Sequence, residues 1–264
     1  MCSARADVLR DLSLGMLNWH MWTRMGWQEI KRRYRRTFIG PFWATLSLGV
    51  FILTLGILWA RLWHQDTKTY LPYLCAGMIT WVLVSTIITD GCTTFTSAEG
   101  LIKQFNFRYS MLPCSIVWRN LIVFAHNAVI FVAVGIYAGV PVGWSTFLIV
   151  PGLALICLTG VWVGILLGMI CARYRDIVQI VISLLQISTF VTPIFYRPDQ
   201  LTGRLSVMAT YNFLYHYVDI VRSPLLGFTP APISYVVTGS ITILGWIMTI
   251  YFYGRFRRRI PYWL

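Results

Sequence analysis

The sequence predicts an all-α membrane protein: six transmembrane helices, an N-terminal amphipathic interfacial helix, and an outer re-entrant helical hairpin before the last span. Three observations carry this expectation. Between Phe38 and Tyr253 lie long apolar stretches with no Asp, Glu, Lys or Arg. The basic residues between those stretches collect at alternate ends. Hydrophobic residues make up 57% of the chain and charged residues 12%, against a charged share of about 25% in a typical soluble domain. Six spans with short loops use nearly all 264 residues. One membrane domain is therefore expected over residues 38–254, between a cytoplasmic N-terminal region (1–37) and a basic cytoplasmic tail (255–264). No segment is Gly/Ser-rich, low in complexity or repeated, so no linker suggests itself.

The first span is read at about 38–60 and the second at 69–89. From Asn120 to Ala172 there is no charged residue, which is too long for one helix, because about 20 residues cross a bilayer. The chain must fold back, and Gly139-Val-Pro-Val-Gly143 is the natural turn. This gives a third span near 116–138 and a fourth near 145–172. The fifth covers 177–196 and the sixth 233–253. Segments this apolar satisfy their backbone groups in lipid as helices.

Arg61, Lys68, Arg197, Arg204 and Arg222 fall in one set of loops, and the rest of the 22 Lys and Arg fall in the other. Positively charged loops stay inside, so both termini are expected in the cytoplasm. Topology thus accounts for the net charge of +13 better than nucleic-acid binding would. The first residues do not read as a secretory signal, because Asp7 and Asp11 interrupt them and no small-residue cleavage site follows an apolar core. The six cysteines form no CxxC pair and no His stands at ligand spacing from them, so they read as small packing residues.

Absences narrow the function. A P-loop needs Gly before Lys, but Lys31, Lys68 and Lys103 follow Ile30, Thr67 and Ile102. There is no HExxH, and His20, His64, His126 and His216 are far apart. Proton-coupled carriers place carboxylates inside spans, whereas here only Asp90 lies near a span end. The chain therefore reads as neither an enzyme nor an ion-coupled carrier, and its energy would come from another subunit. No cofactor or metal is expected on it.

Three segments are neither spans nor plain loops. Residues 8–34 place Leu12, Met16, Trp19, Trp22, Met25 and Ile30 at roughly helical spacing, as an amphipathic helix in the cytoplasmic interface would. It runs into Lys31-Arg-Arg-Tyr-Arg-Arg36, read either as a topology signal on anionic lipid or as a contact for a cytoplasmic partner or anionic substrate. The loop 97–113 is cytoplasmic, with Gly100 and Pro113 bracketing about two helical turns. Leu101, Phe105 and Phe107 stand there beside Lys103, Asn106 and Arg108, either as a protein-docking knob or as a loop packed on lipid. After the polar break 197–203, residues 205–227 are too polar to span and too apolar for water. A hairpin dipping in from the outer face fits, with Asp219 and Arg222 spaced to pair and His216 as a structural donor.

These segments resemble the permease subunit of bacterial polysaccharide-exporting ABC transporters, the O-antigen, capsule and teichoic-acid group. Tyr34-Arg-Arg-Thr-Phe-Ile-Gly-Pro-Phe-Trp43 resembles that family's entry to its first span. Leu101-Ile-Lys, Phe107 and Leu112-Pro113 resemble its coupling helix. Arg173-Tyr-Arg-Asp-Ile177 resembles its fourth-to-fifth loop and Thr192-Pro-Ile-Phe195 the end of its fifth span. Tyr217-Val-Asp-Ile-Val-Arg-Ser-Pro-Leu-Leu-Gly227 is similar to a stretch before the last span, especially in O-antigen exporters. The motifs run in order over nearly the whole chain. Arg108 departs from the pattern, standing where the family often has Pro, and Tyr211-Asn-Phe-Leu stands near a common Asn-Pro.

The resemblance implies a homodimer in the bacterial inner membrane, paired with a cytoplasmic ATPase dimer that holds ATP and Mg. Glu99, Gly100, Leu101, Ile102, Lys103, Phe105, Asn106, Phe107 and Arg108 would couple to that ATPase. Arg173, Tyr174, Arg175 and Asp176 would form a gate at the cytoplasmic mouth, near the substrate's pyrophosphate, or serve only as inside-positive residues. Spans one and five would line a channel in which sugar C–H faces pass over Trp43, Trp59, Phe190, Phe195 and Tyr196; the competing reading is an interfacial aromatic belt. His216, Asp219 and Arg222 would belong to an outer gate. The cargo expected is a lipid-linked polysaccharide. A permease for a drug or small lipid is the first alternative. A membrane acyl- or glycosyltransferase is the second, although Asp90, Glu99 and Asp176 form no obvious catalytic cluster.

Overall fold

The computed structural model describes residues 2–35, 40, 42–105, 107–197 and 211–264. All regular structure among them is helical. The basic residue Arg36, the expected start of the first span at Phe38, and residues 205–210 of the expected hairpin lie outside the described residues.

The N-terminal segment is two helices where one was expected: α1 (Cys2–Leu17) and α2 (Trp19–Tyr34). Asn18 between them leaves helical geometry (φ −82°, ψ 54°), as suits a side chain that competes with helix hydrogen bonds. The Trp22 indole donates to the Met16 carbonyl at 3.0 Å, satisfying an acceptor that the end of α1 leaves open. The break lets α1 turn onto the last long helix while α2 lies along α6.

Five helices are long and apolar enough to cross a membrane: Phe42–Leu62, Thr67–Cys92, Met111–Ala138, Trp144–Arg173 and Pro232–Trp263. The first is α3. The second is α4, which starts where the Asp66 carboxylate accepts from the Lys68 N–H and the Thr69 hydroxyl, a side-chain cap. It is the central helix: 72% of its most apolar window is buried, against 17% for α3. The short α5 (Glu99–Gln104) follows. Then α6 (Met111–Ala138) begins ahead of the expected residue 116. Pro113 lies in its first turn, where a missing N–H leaves no helix bond unmade. Gly139 ends α6 at φ +69°, in the left-handed conformation glycine adopts without strain, and the expected turn follows. A 3₁₀ turn (Trp144–Leu148) leads into α7 (Ile149–Arg173).

The expected fifth span differs from the structure. Helix α8 covers Ile177–Val191, 15 residues or about 22 Å, short of a ~30 Å hydrocarbon core. Thr192 is extended (ψ 133°) because Pro193 disfavours a helical residue before it. The chain from Thr192 to Phe195 is buried, and other elements take up its carbonyls. The Tyr70 hydroxyl donates to the Phe195 carbonyl at 2.6 Å, the Tyr73 hydroxyl to that of Tyr196 at 3.1 Å, and the Arg222 guanidinium to that of Pro193 at 2.7 Å.

Helix α9 (Phe213–Leu225) is the described part of the expected hairpin, with Asn212 capping it through a 3.0 Å bond from the Leu214 N–H. Helix α10 (Pro232–Phe256) carries Ser234, Thr238, Thr242, Gly245, Thr249 and Tyr253 as one buried stripe. Small residues at this spacing let helices approach closely. A 3₁₀ turn (Arg257–Arg259) and α11 (Ile260–Trp263) complete the chain.

The ends of the chain meet. The Tyr253 hydroxyl donates to the Asp11 carboxylate at 2.7 Å, the Arg257 guanidinium lies 3.2 Å from its other oxygen, and the Ser110 hydroxyl donates to the Asp11 backbone carbonyl. The face carrying this junction, the termini face, also carries α5 and the link between α7 and α8.

Packing of α7 on α9 is close at Gly152, where an added Cβ would fall 2.5 Å from the Ile220 carbonyl oxygen. That backbone atom cannot rotate away. Gly152→Val is expected to lose about 1–3 kcal/mol, read as a lower unfolding midpoint in detergent. Gly100→Ala, with nothing within 4 Å, should leave the midpoint unchanged; equal losses would refute the packing argument.

Candidate functional site

On the termini face, α5 is a one-sided helix. Ile102 is buried, while Leu101 is 37% and Phe105 61% exposed. Glu99 and Lys103 pair at 2.7 Å across one turn, in the orientation that also favours the helix dipole. The hydrogen bond and charge of Lys103 hold the Glu99 carboxyl below its usual range, with Arg175 adding to the effect. The link between α7 and α8 is therefore beside α5. Arg173, Tyr174, Arg175 and Asp176 are all exposed there, with the Arg173 guanidinium over the Tyr174 ring at 5.1 Å and the Trp263 ring at 5.6 Å. Phe107 is half-buried against Tyr109, with ring centroids 5.8 Å apart. Gly100 sits inside α5 and Pro113 inside α6, so neither brackets the helix as expected. Asn106 lies outside the described residues.

At the opposite end of the spans an aromatic run joins α3 to α8. Trp63 and Trp59 meet edge to face at 4.6 Å, Trp59 and Phe195 stack at 6.1 Å, and Phe195 stacks on Phe190 at 6.0 Å. Phe190 is 72% exposed, so the run ends on the open side of α8. Tyr196 closes the end of α8 by donating to the Val191 carbonyl at 2.8 Å. Trp43 is exposed at the other end of α3, about 24 Å along the helix from Trp59. The structure thus brings together Trp59, Phe190, Phe195 and Tyr196, but not Trp43.

His216, Asp219 and Arg222 are buried at 4%, 5% and 3% exposure. They form an internal polar hub. The expected Asp219–Arg222 pair does not form, because each finds a nearer partner off its own turn. Asp219 accepts from the Ser223 and Ser234 hydroxyls, both at 2.7 Å. Arg222 donates to Pro193 and lies over the Tyr73 ring at 4.4 Å and the Tyr215 ring at 5.5 Å. With its proton given to Asp219, Ser234 accepts from His216 Nδ1 at 3.0 Å, which fits the expected structural donor.

Sequence reasoning missed two networks on the termini face. Arg119, read only as a topology residue, joins three helices: it pairs with Glu29 of α2 and with Asp90 of α4 at 2.7 Å, and Asp90 also accepts from Asn120 at 2.9 Å. The second is the Asp11 junction. The available signal was a carboxylate at the end of an apolar run for Asp90 and one among the apolar residues Val8, Leu9 and Leu12 for Asp11. Among the described residues no group of His, Cys, Asp and Glu is placed to hold a metal.

Comparison with known proteins follows the same lines. The family model described as ABC-2 type transporter matches residues 21–226. The chain is 28% identical over 172 residues to the O-antigen export system permease protein RfbA of Myxococcus xanthus, covering 64% of this chain and 65% of that protein. It is 22% identical over 228 residues to the protein of the same name from Klebsiella pneumoniae, covering 83% of this chain and 86% of that one. With more than half of its length matched by the family model, the chain belongs to the ABC-2 type transporter family.

Proposed function

We propose that this chain is the membrane-spanning subunit of an ATP-driven exporter that moves a lipid-linked polysaccharide, of O-antigen or capsule type, from cytoplasm to periplasm. Two copies enclose the conduit in the inner membrane, and a cytoplasmic ATPase dimer binds ATP and Mg. The observation that carries this reading is the wall made by α3 and α8. No residue of α8 is buried, although ten of its fifteen residues are apolar. Most of α3 is exposed as well, including Trp43, Val50 and Leu58. A second copy placed against these two helices would cover them and bring two aromatic runs to face one another. Aromatic faces stack on sugar C–H groups without gripping them. The names of the relatives support the glycan cargo over a drug or small lipid.

In this reading α8 and the buried Thr192–Phe195 segment together make the fifth of six crossings, α9 belongs to an outer re-entrant hairpin, and the termini face is cytoplasmic. Leu101 and Phe105 of α5 enter a groove of the ATPase, so that its closure on ATP pushes α5. The neighbouring Arg173–Asp176 turn passes the movement to α8 and widens the cytoplasmic mouth, its cations favouring a pyrophosphate. The hub of His216, Asp219 and Arg222 holds the outer end.

The test is a strain lacking this protein, probed with a glycan-specific lectin on intact spheroplasts and again after lysis. Long lipid-linked glycan detected only after lysis is the expected result. Glycan at normal levels on intact spheroplasts, or never made at full length, would reject the proposal and leave a small substrate or an enzymatic role.

A further inference from the structure

A cavity of about 1140 Å³ opens on the termini face among α1, α2, α5 and the C-terminal turn, slightly larger than the usual ligand pocket of about 300–1,000 Å³. We propose that it binds an anionic phospholipid of the adjoining leaflet, with the phosphate held by Arg10, Arg108 and Arg258. The inference does not depend on the polysaccharide cargo.

Charge is the first argument. Four arginines line the cavity with one acid, Asp11, and Asp11 is already engaged by Arg257 and Tyr253. Among the described residues Arg10, Arg108 and Arg258 make no ion pair. Three like charges converging on one space are relieved by an anion, and guanidinium forks match phosphate oxygens.

The rest of the wall decides which anion. Met21, Met25 and Met111 line the same cavity. A free phosphate has no use for an apolar wall, whereas an acyl chain does. Position agrees: Gly254 and Arg257 at the rim mark the end of a long apolar helix, and the neighbouring α2 exposes Trp19, Met21 and Trp27, the side chains of an interfacial helix.

The experiment is native mass spectrometry of the purified full chain in detergent, titrated with dioleoyl phosphatidylglycerol or dioleoyl phosphatidylcholine. Retention of the glycerol lipid over the choline lipid is expected. Affinity should fall roughly fivefold for each arginine removed, and on the order of a hundredfold in the triple variant R10Q/R108Q/R258Q. Should the triple variant misfold, Arg258→Gln alone, on the exposed 3₁₀ turn, carries the fivefold test. Arg24→Gln with Arg255→Gln, both exposed and outside the cavity, should change retention less than twofold. An equal fall in that control would mean diffuse surface attraction and overturn the proposal. So would full displacement of the lipid by millimolar inorganic pyrophosphate, or its release when the ATPase is added, since the cavity would then be a phosphate site or the partner's seat.

Discussion

Arg222→Ala is expected to lower stability by about 3–5 kcal/mol. Arg222 is 3% exposed and ties three segments together. Its bond to the Pro193 carbonyl fastens the non-helical end of α8, and its plane lies over Tyr73 of α4 and Tyr215 of α9. Alanine leaves the Pro193 carbonyl with only the long 3.4 Å bond from the Tyr73 hydroxyl, and losing the charge-assisted bond costs about 1–3 kcal/mol. It also removes two desolvated cation–π contacts, up to ~2 kcal/mol for a good one. Arg222→Lys keeps the charge and loses the flat stacking, so it should fall between wild type and alanine. Unfolding midpoints in detergent, followed by tryptophan fluorescence through Trp59 and Trp81, measure both. A midpoint unchanged in the alanine variant would show that α8 is held by other means.

The second large effect concerns function with the fold left intact. Leu101→Asp combined with Phe105→Asp should abolish export and weaken association with the ATPase by roughly 30-fold or more per residue, the loss typical of a central interface anchor. Both side chains are exposed, at 37% and 61%, whereas Ile102, the anchor of α5, is 6% exposed. The unfolding midpoint should therefore stay at the wild-type value. Binding of the purified permease to its ATPase, measured by surface immobilisation, gives the affinity. Undiminished binding would remove α5 from the coupling interface. The variant Ile102→Asp is the contrast, since it should lower the midpoint as well.

Elements whose cause is local were legible in the sequence. Charge-free runs marked α3, α4, α6, α7 and α10, and the Gly139 turn followed from a glycine where the chain had to reverse. The end of α8 was legible in principle, because Pro193 constrains Thr192, yet the apolar pattern continues to Tyr196 and hid it. Asn18 was hidden likewise inside a regular apolar spacing. The hub and the Asp11 junction were not legible. The Pro193 carbonyl that takes up Arg222 and the hydroxyl that takes up Asp11 lie far along the chain, and sequence spacing offered Arg222 a nearer partner in Asp219. Of the aromatic residues in the run, Trp59, Phe190 and Phe195 were named through the resemblance and not by any spacing. That they form one continuous run depends on how α3 and α8 lean together at one end, which no local pattern records.

The Asp11–Tyr253 bond joins residues 242 positions apart, and this sets an order of events at birth. At ribosomal rates of roughly 5–20 residues per second, Tyr253 follows Asp11 by about 12–50 s. During that interval α1 has no site on α10 to dock into, and its carboxylate must stay in water at the membrane surface. The α1 seat is completed only when the last long helix has been inserted. The bond therefore works as a completion seal: the termini face, with α5 and the arginine-lined cavity beside it, takes its final shape only once every span is in place.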